Sequence, residues 1–260
     1  MLPRIIPCLL LRRHGFVKTK NFRDPIYLGD PINIIRIFNE KEVDEVAILD
    51  IEASVQGRPP DVDYLRSLAT ECFMPLSYGG GIRNVEDARA LFRAGFEKVC
   101  VNTMAVEKPS LVQELARRFG SSSVIVSIDV KKNWLGRYEV ITRSGSKGTG
   151  LDPVQAARMA ADNGAGEILL TSIDRDGTYL GYDLDLVRRV TAAVGIPVIA
   201  CGGAGKAKDL VDVIHRGGAS AAAAGSLFVF HGPHRAVLIN PPSPAEIEAL
   251  MLQYLVGRSS

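Results

Sequence analysis

The sequence predicts an α/β protein, a single (βα)8 TIM barrel forming one domain over residues 1–260, and three observations carry that expectation. Short apolar runs alternate with amphipathic stretches eight times, the pattern of strand–helix units around a parallel sheet. The 260-residue length suits one such barrel, which typically needs about 250 residues. Polar residues at strand ends recur between the two halves of the chain at a spacing of about 123: Asp50 with Asp174, Gly80 with Gly203, Thr103 with Ser226. A period that long exceeds a solenoid repeat, so it points to a two-fold half-barrel pseudo-repeat.

The elements follow in order. Residues 5–11 are an unbroken apolar run and make strand 1. An alternating stretch at 17–22 extends it as a strand excursion, and helix 1 over 31–43 opens at Asp30-Pro31. Strand 2 (46–51) is followed by helix 2 (62–71), and strand 3 (75–80) runs from Pro75 into glycines before helix 3 (85–94). Strand 4 (98–103) leads to helix 4 (109–119), which stops at Gly120. Strand 5 (124–130) is rich in Val and Ile. A second alternating excursion at 137–143 leads into a glycine-rich loop over 144–152, read as a mobile flap, and then helix 5 (153–163) begins at Asp152-Pro153. Strand 6 (167–174), helix 6 (184–193), strand 7 (197–203), helix 7 (207–216), strand 8 (221–226) and helix 8 (244–255) complete the count.

Composition excludes several classes. The 31 basic and 29 acidic residues leave a net charge of +2, and no Lys/Arg run makes the basic stripe that nucleic acid requires. No stretch reaches the roughly 18 uninterrupted apolar residues of a membrane span, and the run at 5–11 lacks a signal-peptide cleavage site, so the expected compartment is the cytoplasm with no membrane partner. Cys8, Cys72, Cys100 and Cys201 are far apart and show no metal spacing; they read as reduced packing residues. No motif supports a metal or a redox cofactor, and none is expected. His14, His215, His231 and His234 show neither triad nor metal spacing.

In such barrels chemistry sits at the C-terminal ends of the strands. The polar residues there are Asp50, Ser54, Gly81, Asn102, Thr103, Asp129, Thr171, Asp174, Asp176, Gly177, Gly202, Gly203, Gly225 and Ser226. Gly81 with Asn102 and Thr103, and Gly203 with Gly225 and Ser226, form matching glycine-rich pairs in the two halves. Each is able to bring backbone amides to a phosphate, so a substrate with a phosphate at either end is expected; tight βα turns are the plainer alternative. Asp129 ends strand 5 on an apolar floor, which suits proton transfer, although a strand-end Asp also serves as a loop cap. Asp174 and Asp176 admit the same two readings.

The motifs Arg4-Ile-Ile-Pro-Cys-Leu9, Leu49-Asp-Ile-Glu-Ala-Ser54, Gly79-Gly-Gly-Ile82, Val101-Asn-Thr103, Ser127-Ile-Asp129, Gly166-Glu-Ile-Leu-Leu-Thr-Ser-Ile-Asp-Arg-Asp-Gly177 and Gly202-Gly-Ala-Gly205 resemble the cyclase subunit of imidazole glycerol phosphate synthase over nearly the whole chain. The resemblance implies a lyase-type synthase of histidine biosynthesis that accepts ammonia from a glutaminase partner as a heterodimer. It implies phosphate binding at the glycine-rich pairs, Lys18 as a substrate-site lysine, and Arg4, Glu45, Lys98 and Glu167 as the charged gate of an ammonia channel. It also implies two catalytic aspartates. Asp129 matches one; at the other, directly after Cys8-Leu9, this chain has Leu10, which cannot carry a proton. The Leu-Leu-Leu-Arg-Arg version of strand 1 resembles a divergent branch linked to acetamidino sugars of bacterial surface polysaccharides, including lipopolysaccharide O-antigen. In that branch a third amidotransferase protein is expected to use the ammonia. A non-catalytic conduit that only activates the glutaminase is the remaining alternative.

Overall fold

The computed structural model describes residues 2–232 and 234–256. Eight parallel strands close on themselves: β1 (Arg4–Arg12), β2 (Val46–Asp50), β3 (Leu76–Gly79), β4 (Lys98–Val101), β5 (Val124–Lys132), β6 (Glu167–Ser172), β7 (Val198–Cys201) and β8 (Ala221–Ala224). Neighbours pair in sequence order, β8 returns to β1 with Arg4 opposite Ala221, and β5 to β6 with Asp129 opposite Thr171, so no edge remains. The alternating helices α1 (Pro31–Glu40), α2 (Val62–Ala69), α3 (Val85–Ala94), α4 (Ser110–Phe119), α5 (Pro153–Asp162), α6 (Leu184–Thr191), α7 (Ala207–Gly217) and α8 (Pro244–Val256) complete the (βα)8 barrel. No helix among the described residues is long and apolar enough to cross a membrane.

Helix boundaries follow local chemistry. Asp30, Asp61, Asn84, Asp152 and Asp183 each cap a helix by accepting a backbone N–H, and Pro31 and Pro153 occupy first-turn positions where a missing N–H costs nothing. Asp61 and Asp183 cap α2 and α6, the corresponding helices of the two halves, so the pseudo-repeat extends to the caps. α1 stops at Glu40, short of the expected residue 43. Glu42 has φ +51°, and the Asn39 side chain turns away to the Glu71 carbonyl and the Phe73 amide.

Strand periodicity sorts the barrel into layers, because alternate residues share a face. Ile6 and Cys8 of β1, Ala47 of β2, Cys100 of β4, Ile125 of β5, Leu169 of β6, Ile199 and Cys201 of β7, and Ala221 and Ala223 of β8 form one inner apolar cluster. The complementary set, including Leu9, Ile48, Val99, Val126, Ile168 and Val198, packs outward under the helices. Three cysteines therefore lie inside the barrel, and all four are free thiols. Below the inner cluster, at the strand starts, stand charged residues; above it, at the strand ends, stands the polar site.

Two excursions rise from the upper rim. Strand Gly15–Lys20 pairs antiparallel with β1 and with Arg23–Gly29, so the expected excursion is the first arm of a hairpin. Strand Tyr138–Thr142 pairs with β5 and with Lys147–Gly148. The loop read as too glycine-rich to pack is anchored: Ser144 Oγ donates to the Ile51 carbonyl at 2.6 Å, and a Cβ on Gly145 would stand 3.0 Å from the Phe22 ring. Small residues here allow close packing as well as freedom.

Candidate functional site

At the lower mouth Arg4, Glu45, Lys98 and Glu167 form a closed ring of alternating charge. Arg4 reaches Glu45 at 2.9 Å and Glu167 at 3.1 Å; Lys98 reaches the same carboxylates at 3.0 and 3.3 Å. Four residues scattered over 164 positions meet because strand starts share one end of the barrel. Burial works against the Arg4 charge, yet the two carboxylates outweigh it and raise its pKa. Glu45 Oε1 and Glu167 Oε2 are buried and accept no hydrogen bond among the described residues. A void of about 10 Å³, room for one water-sized molecule, lies just inside, bounded by Glu45, Ile6, Ala47, Leu169 and Ile199 below and Leu49 and Cys100 above.

Leu49 and Cys100 also border the upper cavity, which has about 660 Å³, within the usual range for small-molecule sites. Asp129 stands at its base. Asn102 Nδ2 donates to Asp129 Oδ2 at 3.1 Å and Ser127 Oγ to Asp129 Oδ1 at 3.2 Å. Burial pushes its carboxyl up to about 7, against the Ser127 hydroxyl, with the Asp176 charge adding and the Thr171 hydroxyl opposing. Such a group is able to gain and lose a proton near neutral pH, so the loop-cap alternative does not describe it: its oxygens bond side chains of its own and the neighbouring strand.

Lys18 Nζ reaches across from the β1 hairpin to Asp176 Oδ1 at 3.0 Å, and Thr19 Oγ1 donates to the other oxygen at 3.2 Å. Burial disfavours the Lys18 charge, but Asp176 and the sulfurs of Cys8 and Cys201 outweigh it and raise its pKa. Asp174, its neighbour in sequence, is exposed and accepts the Lys132 amide at 2.8 Å, which fixes the loop. Asp50 takes two bonds from Arg58 at 2.7 and 3.0 Å and caps the turn through the Glu52 and Ala53 amides. The repeat pair Asp50 and Asp174 thus matches in sequence and differs in role. Leu10 lines the cavity on the inward face of β1, in step with Arg4, Ile6 and Cys8, and is 6% exposed.

The two glycine-rich pairs are not equivalent. Gly81, Asn102 and Thr103 line the cavity. Gly81 has φ +70°, and a Cβ there would stand 2.5 Å from the Arg58 carbonyl oxygen, so only glycine fits without shifting the loop. None of Gly177, Gly202, Gly203, Gly225 and Ser226 is among the described residues that line it. They pack against the chain itself: a Cβ on Gly203 would run into the Gly181 carbonyl oxygen, and one on Gly225 would lie 2.8 Å from Lys18 Cε. Ser226 is buried beneath Tyr179, whose hydroxyl donates to its carbonyl at 3.4 Å.

Several cavity residues escaped sequence reasoning. Arg58, Arg143, Ser144 and Glu107 all line it, yet each sits in a loop or short helix with no motif around it. Arg58 had one usable signal, its place eight residues after a strand-end aspartate in the same loop. Arg143 and Glu107 are 36 residues apart and meet at 3.1 Å only through the fold.

Known proteins align with nearly the whole chain. The family described as "Histidine biosynthesis protein" matches residues 4–234. A protein of Pseudomonas aeruginosa, named provisionally as imidazole glycerol phosphate synthase subunit hisF2, is 50% identical over 245 residues, covering 94% of this chain and 98% of that one. One of Leptospira interrogans with the provisional name imidazole glycerol phosphate synthase subunit HisF is 48% identical over 249 residues, 95% of this chain and 98% of its own. A third, from Alkaliphilus metalliredigens, named imidazole glycerol phosphate synthase subunit HisF without qualification, is 48% identical over 228 residues, 88% of this chain and 90% of its own.

Proposed function

This chain belongs to the histidine biosynthesis protein family, and from that premise we propose that it is the ammonia-accepting synthase subunit of a complex of the imidazole glycerol phosphate synthase type. A glutaminase subunit docks at the lower mouth as its heterodimeric partner. Ammonia enters at the ring of Arg4, Glu45, Lys98 and Glu167, and a phosphorylated substrate lies in the upper cavity against Gly81, Asn102 and Thr103.

One observation carries the reading: ring, void and cavity follow one another along the inside of the barrel and share wall residues, Glu45 between the first two and Leu49 and Cys100 between the last two. The apolar layer of Ile6, Ala47, Ile125, Leu169 and Ile199 favours a small neutral molecule over an ion, because a charge there would be stripped of water without a partner. The free acceptor oxygens of Glu45 and Glu167 offer hydrogen bonds to a donor such as ammonia at the entrance. A nitrogen that attacks a carbonyl-type carbon in the cavity sheds a proton, and Asp129, titrating at about 7, accepts it. The paired Lys18 and Asp176 hold a fixed cation beside that step.

Leu10 favours a second, finer reading. The relatives' names favour the imidazole glycerol phosphate synthase reaction, whereas a leucine at the second acid–base position that the resemblance implies supports a different substrate, an acetamidino-sugar precursor of surface polysaccharide, with a third amidotransferase protein consuming the ammonia. The test of the first reading is reconstitution with the cognate glutaminase. Complex formation at micromolar concentration and a rise in glutaminase rate are expected; absence of both would leave the ring without a source of ammonia and overturn it.

A further inference from the structure

The hairpin turn at residues 143–146 leans over the cavity beside the Gly81, Asn102 and Thr103 group. The Arg143 amide donates to Thr103 Oγ1 at 3.3 Å, and Ser144 Oγ holds the Ile51 carbonyl. Arg143 and Ser144 both have φ +52°, a conformation that non-glycine residues keep only when their surroundings hold them there. The turn is therefore fixed in place, with Arg143 in the cavity wall.

The charges around the cavity are unevenly matched. Among the cations in its wall, Arg12 faces Glu52, Lys18 faces Asp176, and Arg58 faces Asp50, one carboxylate each. Arg83 donates to the Gly57 carbonyl. Arg143 shares its carboxylate: Arg143 Nη2 and Lys147 Nζ both reach the same oxygen, Glu107 Oε1, at 3.1 Å. Two cations on one carboxylate leave an excess positive charge on the turn. Lys147 stands outside the described cavity wall and is able to keep Glu107 when Arg143 leaves. The Arg143–Glu107 pair is partly exposed, so breaking it costs little.

We propose that Arg143 is a substrate-binding residue that exchanges Glu107 for a phosphate group of the substrate, so that Glu107 is the counter-ion the phosphate displaces. The inference rests on the phosphate-binding reading of this cavity and adds the residue that neutralises the phosphate. A guanidinium offers a phosphate a full positive charge with two parallel N–H bonds, whereas Gly81, Asn102 and Thr103 offer neutral donors only.

Titration calorimetry of inorganic phosphate into the full chain at fixed low ionic strength tests it, with Arg143→Met, Glu107→Gln, the double variant, Lys147→Met and Arg83→Met in parallel. Arg143→Met is expected to weaken binding about tenfold. Glu107→Gln is expected to tighten it severalfold, because the guanidinium no longer has to leave a carboxylate, and that gain is expected to vanish in the double variant. Lys147→Met is expected to change little. The proposal is overturned if Arg143→Met binds like the parent, if the gain of Glu107→Gln survives without Arg143, if Glu107→Gln weakens binding as Arg143→Met does, or if Arg83→Met carries the loss. A parent chain that binds no phosphate at all overturns the phosphate reading of the cavity itself, an outcome visible before any variant is compared.

Discussion

Asn102 Nδ2, at the end of β4, donates to Asp129 Oδ2 on β5 at 3.1 Å, so the amide that lines the cavity beside Thr103 also orients its buried carboxyl. The proposed phosphate site and the proposed proton-transfer group thus share one side chain.

Asp129→Asn is expected to lower ammonia-dependent turnover by about 10²- to 10⁴-fold with little change in KM, since a positioned proton-transfer group contributes that much. Asn102→Ala is expected to affect both kcat and KM. Steady-state kinetics with ammonium salts, without the glutaminase, give the split; unchanged kcat in Asp129→Asn would remove Asp129 from the chemistry.

The raised pKa of Asp129 also predicts a pH dependence of stability. The carboxyl titrates near 4 in an unfolded chain and at about 7 in the folded one. Between those values the folded chain keeps a proton that the unfolded chain has lost, so stability is greatest below about pH 4 for this group and is lost as pH rises through 7. Asp129→Asn removes the dependence. Its Tm is expected to gain on the parent from pH 4 to 7.5; a Tm difference that stays constant over that window would count against it.

Lys98→Met would leave Glu45 and Glu167 to share Arg4 alone. Breaking a buried pair typically costs about 3 kcal/mol, and Glu45 is the buried member here, its side chain only 4% exposed. Chemical denaturation should register that loss. The ratio of glutamine-driven to ammonium-driven turnover is expected to fall severalfold in the reconstituted complex; an unchanged ratio would make the ring purely structural.

Leu10→Asp bears on substrate identity. In a strain lacking the histidine-pathway cyclase, with the cognate glutaminase supplied, the parent chain is expected not to restore growth, because the second of the two proton-transfer groups that the family resemblance implies is a leucine here. Growth with the parent would refute the acetamidino-sugar reading. Growth with Leu10→Asp alone would show that the cavity still recognises the histidine intermediate and that residue 10 diverted the chemistry.

Gly81→Ala is expected to cost about 1–3 kcal/mol, since φ +70° and the Arg58 carbonyl oxygen at 2.5 Å both oppose a Cβ. Gly57→Ala is the control: φ is +64°, but a Cβ there meets open space among the described residues, and about 1 kcal/mol is expected. Equal losses in thermal unfolding would mean that the close approach at Gly81 is unimportant.

The barrel was legible because each unit is written locally. Aspartate, asparagine or proline opens most of the helices, and apolar strand runs separate them. Alternation places Arg4, Ile6, Cys8 and Leu10 on one face of β1, and Glu167, Leu169 and Thr171 on one face of β6, but both faces are apolar in letters, so only the closed barrel shows that this face is the inner one. That Leu10 lies in strand 1 could be read from letters alone. The end of α1 could not, since a left-handed Glu42 has no residue-type signature.

By itself, the sequence determined which residues stand at which end of the barrel, since strand direction and side-chain alternation are properties of short segments. Only the tertiary structure decided which of them share a cavity. Gly81 and Gly203 look alike in sequence and both press against a backbone carbonyl, yet only Gly81 is among the described residues that line the cavity. Asp50 and Asp174 occupy matching places, yet one is buried on Arg58 and the other is exposed at a loop amide. The physical reason is that burial, and with it the pKa of Asp129 or the shared counter-ion of Arg143 and Lys147, depends on segments distant in sequence, such as Asn102, 27 positions from Asp129, and Glu107, 36 from Arg143 and 40 from Lys147, and no local pattern encodes those meetings.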